Sequence, residues 1–331
     1  MTNKSLMTKR GIALITVLWV SVLLSLVAAS FTRTSRTEIN LTRNLVENAR
    51  AEAYADAAVN RAILGLFTRP SLGGFRVDGT VYRWRFGDAD ILFRIEDEGG
   101  KVDINTVSVD FLRKLLRALD VSPKVSRGLA AAIVDFRDFD DDPESDGAED
   151  RDYEQANLLQ GAKDAPFDLI EELQQVLGMT QPIYERLKPL VTVYSGQNSP
   201  YAPVAAPFIQ ELLKKDPGLV DEDSEEGPDP EDAGEEPPTT GLTPSLALTD
   251  EDPQPLSDEG TDARSPVGVF TIHAEARSDN GGVFARKAVV RVGSRRRRSG
   301  SKVFLWAPEA LTLFPAYDAA LAELESGTEA K

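Results

Sequence analysis

Between Asp135 and Glu154 the chain places eleven carboxylates and two arginines. Asp138, Asp140 and Asp142 stand at positions 1, 3 and 5 of a frame whose position 12 is Glu149. That is the ligand spacing of an EF-hand loop, in which oxygens from alternate residues surround calcium. Position 6 is Pro143, where an EF-hand needs the freedom of glycine. Proline fixes φ near −65°, so a true EF-hand is excluded and another oxygen-rich calcium loop is not. Hard oxygen donors with no Cys or His nearby favour calcium over zinc. The ordinary alternative is a solvated, disordered acidic loop. Against it stand the apolar helical pattern before the cluster and Tyr153, Ala156, Leu158 and Leu159 around its end. Carboxylates tethered this closely also repel one another unless a cation is present.

Other chemistry is sparse. His273 is the single histidine, in an alternating strand pattern that suits a half-buried structural role. No nucleophile has a recognisable base partner, and no G-x-S-x-G, Walker loop or dinucleotide fingerprint occurs. The expectation is therefore no catalysis. The absence of cysteine excludes disulfides and thiolate metal sites. The net charge of −17 is local: 17 of the 54 acidic residues lie between Asp216 and Asp262, where Lys and Arg occur nowhere before Arg264. The remainder is formally neutral.

The elements that position the acidic loop begin with a helix. Ile12 to Phe31 is a run of twenty uncharged residues, the length that spans a hydrocarbon core of about 30 Å. Lys4, Lys9 and Arg10 before it predict a cytoplasmic N-terminus with everything after Phe31 outside. No Pro or Gly interrupts Ile12 to Leu64, so one helix of about 84 Å is expected over 12–67 at 1.5 Å per residue. Alternation predicts strands within 74–96, with Asp78-Gly79 and Gly87-Asp88 as turns. Helical spacing follows in VSVDFLRKLLRALDV, SRGLAAAIVDFRDF and PFDLIEELQQVLGM, with starts at Asn105-Thr106 and Ser122-Pro123. Strand patterns return at Leu190–Tyr194 and on both sides of Asn280-Gly281-Gly282, a hairpin signal.

Several stretches are similar to a known family. Lys9-Arg10-Gly11 before an apolar helix resembles the leader of type IV pilins and pseudopilins. The resemblance implies a prepilin peptidase cut between Gly11 and Ile12, with methylation of the new N-terminus. The fifth residue after that cut is Thr16, where most pilins carry glutamate. The K-type minor pseudopilins of type II secretion (the general secretion pathway protein K family) typically lack that glutamate. Gly100-Lys101-Val102-Asp103-Ile104-Asn105, Ile133–Asp138 leading to Gly147–Asp150, Thr192–Gly196 and Ala206–Leu213 also resemble this family. The similarity covers 9 to about 218 and the last strands. It implies calcium in the acidic loop, with Asp138, Asp140, Asp142, Glu149 and Asp150 at the motif positions. It further implies I-type and J-type minor pseudopilins as partners, a single-pass anchor in the inner membrane with the head in the periplasm, and a place at the pseudopilus tip.

The expected fold is α+β: a pilin-like long helix and antiparallel sheet with an inserted all-helical domain. The segments are a leader (1–11), the long helix (12–67, membrane-spanning over 12–31), strands (70–96), the helical domain (97–189), a return strand and short helix (190–216), an acidic, Pro-rich disordered segment (217–266), a C-terminal hairpin (267–294), and a basic run with a C-terminal arm (295–331). Two other readings stand beside the pseudopilin. One is a calcium-dependent surface protein with no pilus role. The other is a membrane-anchored helix-hairpin-helix DNA-binding protein, since Lys101–Leu119 resembles such modules. Its hairpin, Leu119-Asp120-Val121-Ser122-Pro123, lacks the glycine whose N–H meets a phosphate, and its acidic surroundings oppose nucleic acid.

Overall fold

The computed structural model describes residues 7–68, 74–219, 252–257, 260–293 and 301–328; side chains at 7–13, 31–37, 321 and 323–328 are not among those described. Helix α1 runs unbroken from Met7 to Leu66. Its two halves have opposite surroundings. Eleven large apolar side chains from Leu14 to Val27 are 47–76% exposed, whereas Ala51, Ala55, Ala58, Val59 and Ala62 are fully buried. Small residues at three- and four-residue spacing let this outer half lie close against a sheet. Among the described residues no helix is long and apolar enough to cross a membrane. The expected span, 12–31, has side chains described only over 14–30, so its two ends lie outside the described side chains.

The sheet has six strands in the order β5-β1-β2-β6-β7-β8. They are β1 (Asp78–Phe86), β2 (Ala89–Asp97), β5 (Gln254–Pro255), β6 (Val269–Ser278), β7 (Val283–Val292) and β8 (Ser301–Pro308), and every neighbouring pair is antiparallel. Alternation sends Tyr82, Trp84, Ile91, Phe93, Ile95, Ile272 and Val290 into one core with α1. Arg286 of β7 reaches from the sheet to Glu52 (2.6 Å) and Asp56 (2.7 Å) of α1. The hairpin expected at Asn280-Gly281-Gly282 forms, and it touches α1. A Cβ on Gly282 would sit 2.2 Å from the Glu47 carbonyl oxygen, so only glycine permits this approach.

Between β2 and β6 lies a second core. Its elements are β3 (Val102–Asp103), α2 (Val109–Ala118), α3 (Pro123–Asp135), α4 (Asp150–Gln155), α5 (Gln181–Leu187), β4 (Val191–Thr192) and α6 (Pro207–Lys215). Val102, Phe111, Leu112, Leu115, Leu116, Ile133, Phe136, Tyr153, Leu187 and Ile209 are buried together here. Three sequence expectations change. The strand at 190–194 does not return to the main sheet: Val191 and Thr192 pair in parallel with Val102 and Asp103. The short helix α6 belongs to the helical core through Ile209 and Leu213, so the inserted unit extends to Leu219 rather than 189. Helix α2 starts after Ser108, which caps Phe111 N at 3.3 Å, while Asn105 instead bridges both backbone groups of Phe167. That bridge holds the start of PFDLIEELQQVLGM extended, and only a 3-10 turn at Ile170–Gln175 follows.

Helices α2 and α3 pack on one another across the short turn at 119–122. The turn uses Asp120 at φ 59°, a left-handed conformation that Asp tolerates better than most residues. A carboxylate therefore stands where a phosphate-binding hairpin presents glycine, and the DNA-binding alternative finds no support.

Most of the expected disordered segment, at 220–251 and 258–259, lies outside the described residues, as does the basic run Arg295–Arg298. Its end is nevertheless folded. Gln254 and Pro255 pair with Arg83 and Tyr82, and Arg264 donates to the carbonyls of Leu66, Thr68 and Phe75. These residues gain structure from the edge they meet, a contribution that composition does not reveal. The C-terminal arm forms β8 and helix α7 (Leu313–Thr328). Glu275 on the outer face of β6 accepts from the backbone N–H groups of Thr312, Leu313 and Phe314, satisfying the open donors of α7. His273 is buried on the same face, with Nδ1 2.6 Å from Glu309 Oε2.

Candidate metal centre

The centre is built where α3 ends. Asp135, fully buried at the last turn, accepts from Glu144 N (3.0 Å) and Ala148 N (2.6 Å). This carboxylate folds the 136–149 loop back onto its own helix. A Cβ at Gly147 would lie 1.9 Å from Asp135 Oδ2, which explains the glycine in Gly147-Ala148-Glu149-Asp150. A second loop closes over the first: Lys163 N donates to Phe136 O (3.2 Å) and Ala162 N to Asp150 Oδ1 (3.1 Å). Asp164 follows in the left-handed region at φ 51°.

Three oxygens are left over. Asp138 Oδ1, Glu149 Oε1 and Asp164 Oδ1 are shielded from water and have no hydrogen-bond partner. Leaving such an atom unsatisfied is costly, more so when it carries charge. Burial, and then the repulsion of Asp135, Asp138, Asp164 and Asp141, pushes Glu149 up to about 7. Burial and then Asp140, Asp135 and Asp164 raise Asp138, and burial with Asp150 and Asp141 raises Asp164. Burial is the leading cause for all three, and neighbouring carboxylates add to it.

The five residues expected from the motif separate into groups. Asp138 and Glu149 contribute the unpartnered oxygens. Asp140 stands close enough to repel Asp138 and accepts from Asp142 N (3.2 Å). Asp142 is exposed. Asp150 spends Oδ1 on Ala162 N. Asp135 and Asp164 belong to the same neighbourhood and were not among the five. The acidic pair of loops fits a hard cation by its donor set, although among the described residues no group of three His, Asp or Glu side chains is already arranged to hold a metal ion.

The motif at 98–105 has a different role. Glu98, 2% exposed, accepts from Lys101 Nζ (2.7 Å), Thr271 Oγ1 (2.6 Å) and Thr192 Oγ1. Asp97 accepts from Gly99 N, Ser265 N and Ser265 Oγ at 2.9, 2.7 and 2.6 Å. Asp103 accepts from Asn105 N (2.9 Å), Gly196 N (2.6 Å) and Ser195 Oγ (3.2 Å). Glu98 and Asp97 fasten the helical unit to β6 and the segment before it, while Asp103 ties β3 to the Ser195–Gly196 turn within the unit.

Residues 93–196, which contain both the fastening acids and the acidic loop, match the family model of type II secretion system protein K. That stretch is similar to type II secretion system protein K. The protein K of Klebsiella pneumoniae is 28% identical over 211 residues, covering 57% of this chain and 64% of its own. That of Pseudomonas aeruginosa is 26% identical over 247 residues, covering 66% and 74%. The chain spans 62% of the length of a further relative from Escherichia coli K12. Among solved structures, the GspK–GspI–GspJ complex of the enterotoxigenic Escherichia coli type 2 secretion system contains a chain of the same fold. The TM-score is 0.51 at 17% identity, over 84% of this chain and 99% of that one. The chain as a whole thus has the α+β fold of that structure, and the family match falls on the helical unit inserted between β2 and β6.

Proposed function

We propose that this chain is a minor pseudopilin at the tip of the periplasmic pseudopilus of type II secretion, acting by assembly rather than catalysis. The observation that carries the reading is the divided surface of α1. Its first half leaves Leu14 to Val27 exposed and its second half is buried under the sheet. Hiding large apolar side chains from water is worth roughly 1.5–3 kcal/mol each, so the first half belongs in a bilayer or among other helices. Lys4, Lys9 and Arg10 keep the N-terminus in the cytoplasm and the head in the periplasm. Prepilin peptidase acts between Gly11 and Ile12, and Ile12 is then methylated.

The tip position draws support from two independent features. Thr16 offers no carboxylate to the N-terminal amine of a subunit ahead of it. The helical unit joins the sheet at Asp97, beside the Leu66 end of α1, while the opposite end of the sheet, at Asp88, meets Tyr54. The inserted bulk therefore lies away from the membrane half of α1, where a further subunit would stack. The I-type and J-type minor pseudopilins are the partners, a reading supported by the composition of the solved GspK–GspI–GspJ complex. Calcium in the acidic loops would be held through Asp138, Glu149 and Asp164, aided by Asp140, Asp142 and Asp150. It would supply positive charge to a cluster that otherwise repels itself.

N-terminal mass determination of the protein extracted from membranes tests the reading. A chain beginning at methylated Ile12, and a Gly11→Val variant left unprocessed, are expected. A mature N-terminus beyond Phe31 overturns it. Co-purification of the I-type and J-type proteins with the full chain tests the assembly.

A further inference from the structure

The two edges of the main sheet differ. At one, β1 is met by β5. At the other, β8 is the last strand, eight residues long, and among the described residues no strand lines its outer side. Such an edge carries a row of unpaired N–H and C=O groups and accepts an extended chain. Its charge is also unbalanced. Arg83, Arg85, Arg94, Arg277 and Arg286 each meet a carboxylate. Arg291 of β7 and Lys302 of β8 form no ion pair among the described residues. They are exposed register partners, and both lie over the ring of Phe304, at 5.2 and 4.9 Å from its centroid. Four more arginines, Arg295–Arg298, stand in the link between the two strands.

The register says what such a strand would carry. Val303 and Trp306 pair with Val290 and Ala288, which belong to the core with α1, so both project on the α1 side of the sheet. They remain 45% and 37% exposed and offer apolar contact to alternate residues of an added strand. Arg291 and Lys302 project on the opposite face and call for carboxylates there. Edges are commonly blunted by bulges and charge, and β8 has both: its register with β7 shifts at Val289/Val290, leaving Phe304 as the extra residue. Those devices reject a second copy of the same basic edge, while a strand of opposite sign is attracted. The cations sit at the end of the sheet that bears the helical unit. Asp97 pairs with Phe270 and Phe270 with Val290, beside Arg291, and the ring of Tyr194 lies 5.8 Å from that of Phe304. That end is remote from the exposed half of α1, so a protein strand suits it and a lipid headgroup does not.

We propose that β8 is a strand-addition site for an extended segment of another protein in which acidic residues alternate with apolar ones. The apolar residues continue the face of Val303 and Trp306, the carboxylates meet Arg291 and Lys302, and backbone hydrogen bonds along β8 supply the affinity. The inference does not depend on the secretion reading.

The test uses the full chain in detergent. The probe is a peptide of alternating valine and glutamate, eight residues long like β8, and the control alternates valine and lysine. Amide hydrogen exchange over Ser301–Pro308 is read by mass. The glutamate peptide should slow exchange there by at least about tenfold, with no change from the lysine peptide. Arg291→Glu with Lys302→Glu should reverse the preference, so that the lysine peptide protects β8 and the glutamate peptide does not. A reversed preference cannot arise from misfolding. Equal protection by both peptides, protection by neither, or a double variant that keeps the parent's preference overturns the site. An edge already protected in the chain alone means that another part of the chain fills it, and protection that grows with protein concentration in the absence of peptide means a second copy. Either result also overturns the proposal.

Discussion

Two groups of buried acids in one molecule have opposite accounts. At the junction, burial drives Glu98 upward, but Lys101 and the hydroxyls of Thr192 and Thr271 hold it below the usual carboxylate range. Against its burial, Glu98 and Glu96 together hold Lys101 well above its ordinary value. At the loops, burial drives Asp138, Glu149 and Asp164 upward, neighbouring carboxylates add to it, and one oxygen of each has no donor. The junction brings its own cation, so it is complete once folded. The loops have three shielded oxygens that no protein donor meets. The lesson is that an acidic cluster becomes a candidate ion site when its buried oxygens lack protein donors, not when its acids are merely numerous.

The contrast breaks most sharply at Lys101. Lys101→Met leaves Glu98 buried without its cation and should cost about 3–5 kcal/mol, read as a lowered urea midpoint for the full chain. A change below about 1 kcal/mol would mean that the hydroxyls alone satisfy Glu98. Calcium is next. One site held at 100 times its dissociation constant adds about 2.7 kcal/mol, so calcium should raise the melting temperature over chelator, and Asp138→Asn with Glu149→Gln should abolish the rise. Identical curves for the parent chain in calcium and chelator would reduce the loops to a solvated cluster.

A smaller effect concerns acid. Against its burial, Lys101 first, with His273 and Arg94, holds Glu96 at about 2. Its folded pKa is depressed, so its contribution is fully present above the unfolded value near 4.5 and is lost as pH falls toward 2. Glu96→Gln should flatten this acid limb by roughly 1–2 kcal/mol, allowing for partial exposure. Equal acid slopes for variant and parent would remove Glu96 from the junction account. The smallest expected effect separates the spacing motif from the geometry. Asp142 is exposed, so Asp142→Asn should change stability by about 0.5 kcal/mol or less and weaken calcium far less than Asp164→Asn. Calcium titration of the two variants decides between them.

Much of this architecture is legible in sequence because periodicity reports burial. The alternation at 80–96 and 269–292 and the unbroken 12–64 pattern match β1, β2, β6, β7 and α1. Spacing singles out Asp138 and Glu149, two of the acids with an unpartnered oxygen. Asp164, the third, lies on a second loop that only the fold brings against the first. The pattern at 190–194 reads as a strand correctly but carries no sign of its partner, and a parallel two-residue ladder with Val102–Asp103 satisfies it equally well. Gln254 and Pro255 have poor strand propensity; the open edge of β1 recruits them. Glu98 lies in the sequence Glu-Asp-Glu-Gly-Gly, which reads as a loop, and only Thr192 and Thr271, far along the chain, reveal it as a buried keystone.

The long helix has a mechanical consequence. Beyond its exposed half, α1 is keyed to the sheet by Arg286 clamped on Glu52 and Asp56, by the close seat of Gly282 on Glu47, and by Arg264 gripping the carbonyls at its far end. An axial thrust on the helix is therefore shared among fastenings spread from Glu47 to Leu66 and meets them in shear, instead of peeling them one after another. Glu98 and Asp97 then pass the load to the helical unit. A push delivered at the exposed end of α1 would move the head as one piece, as a rod moves a piston.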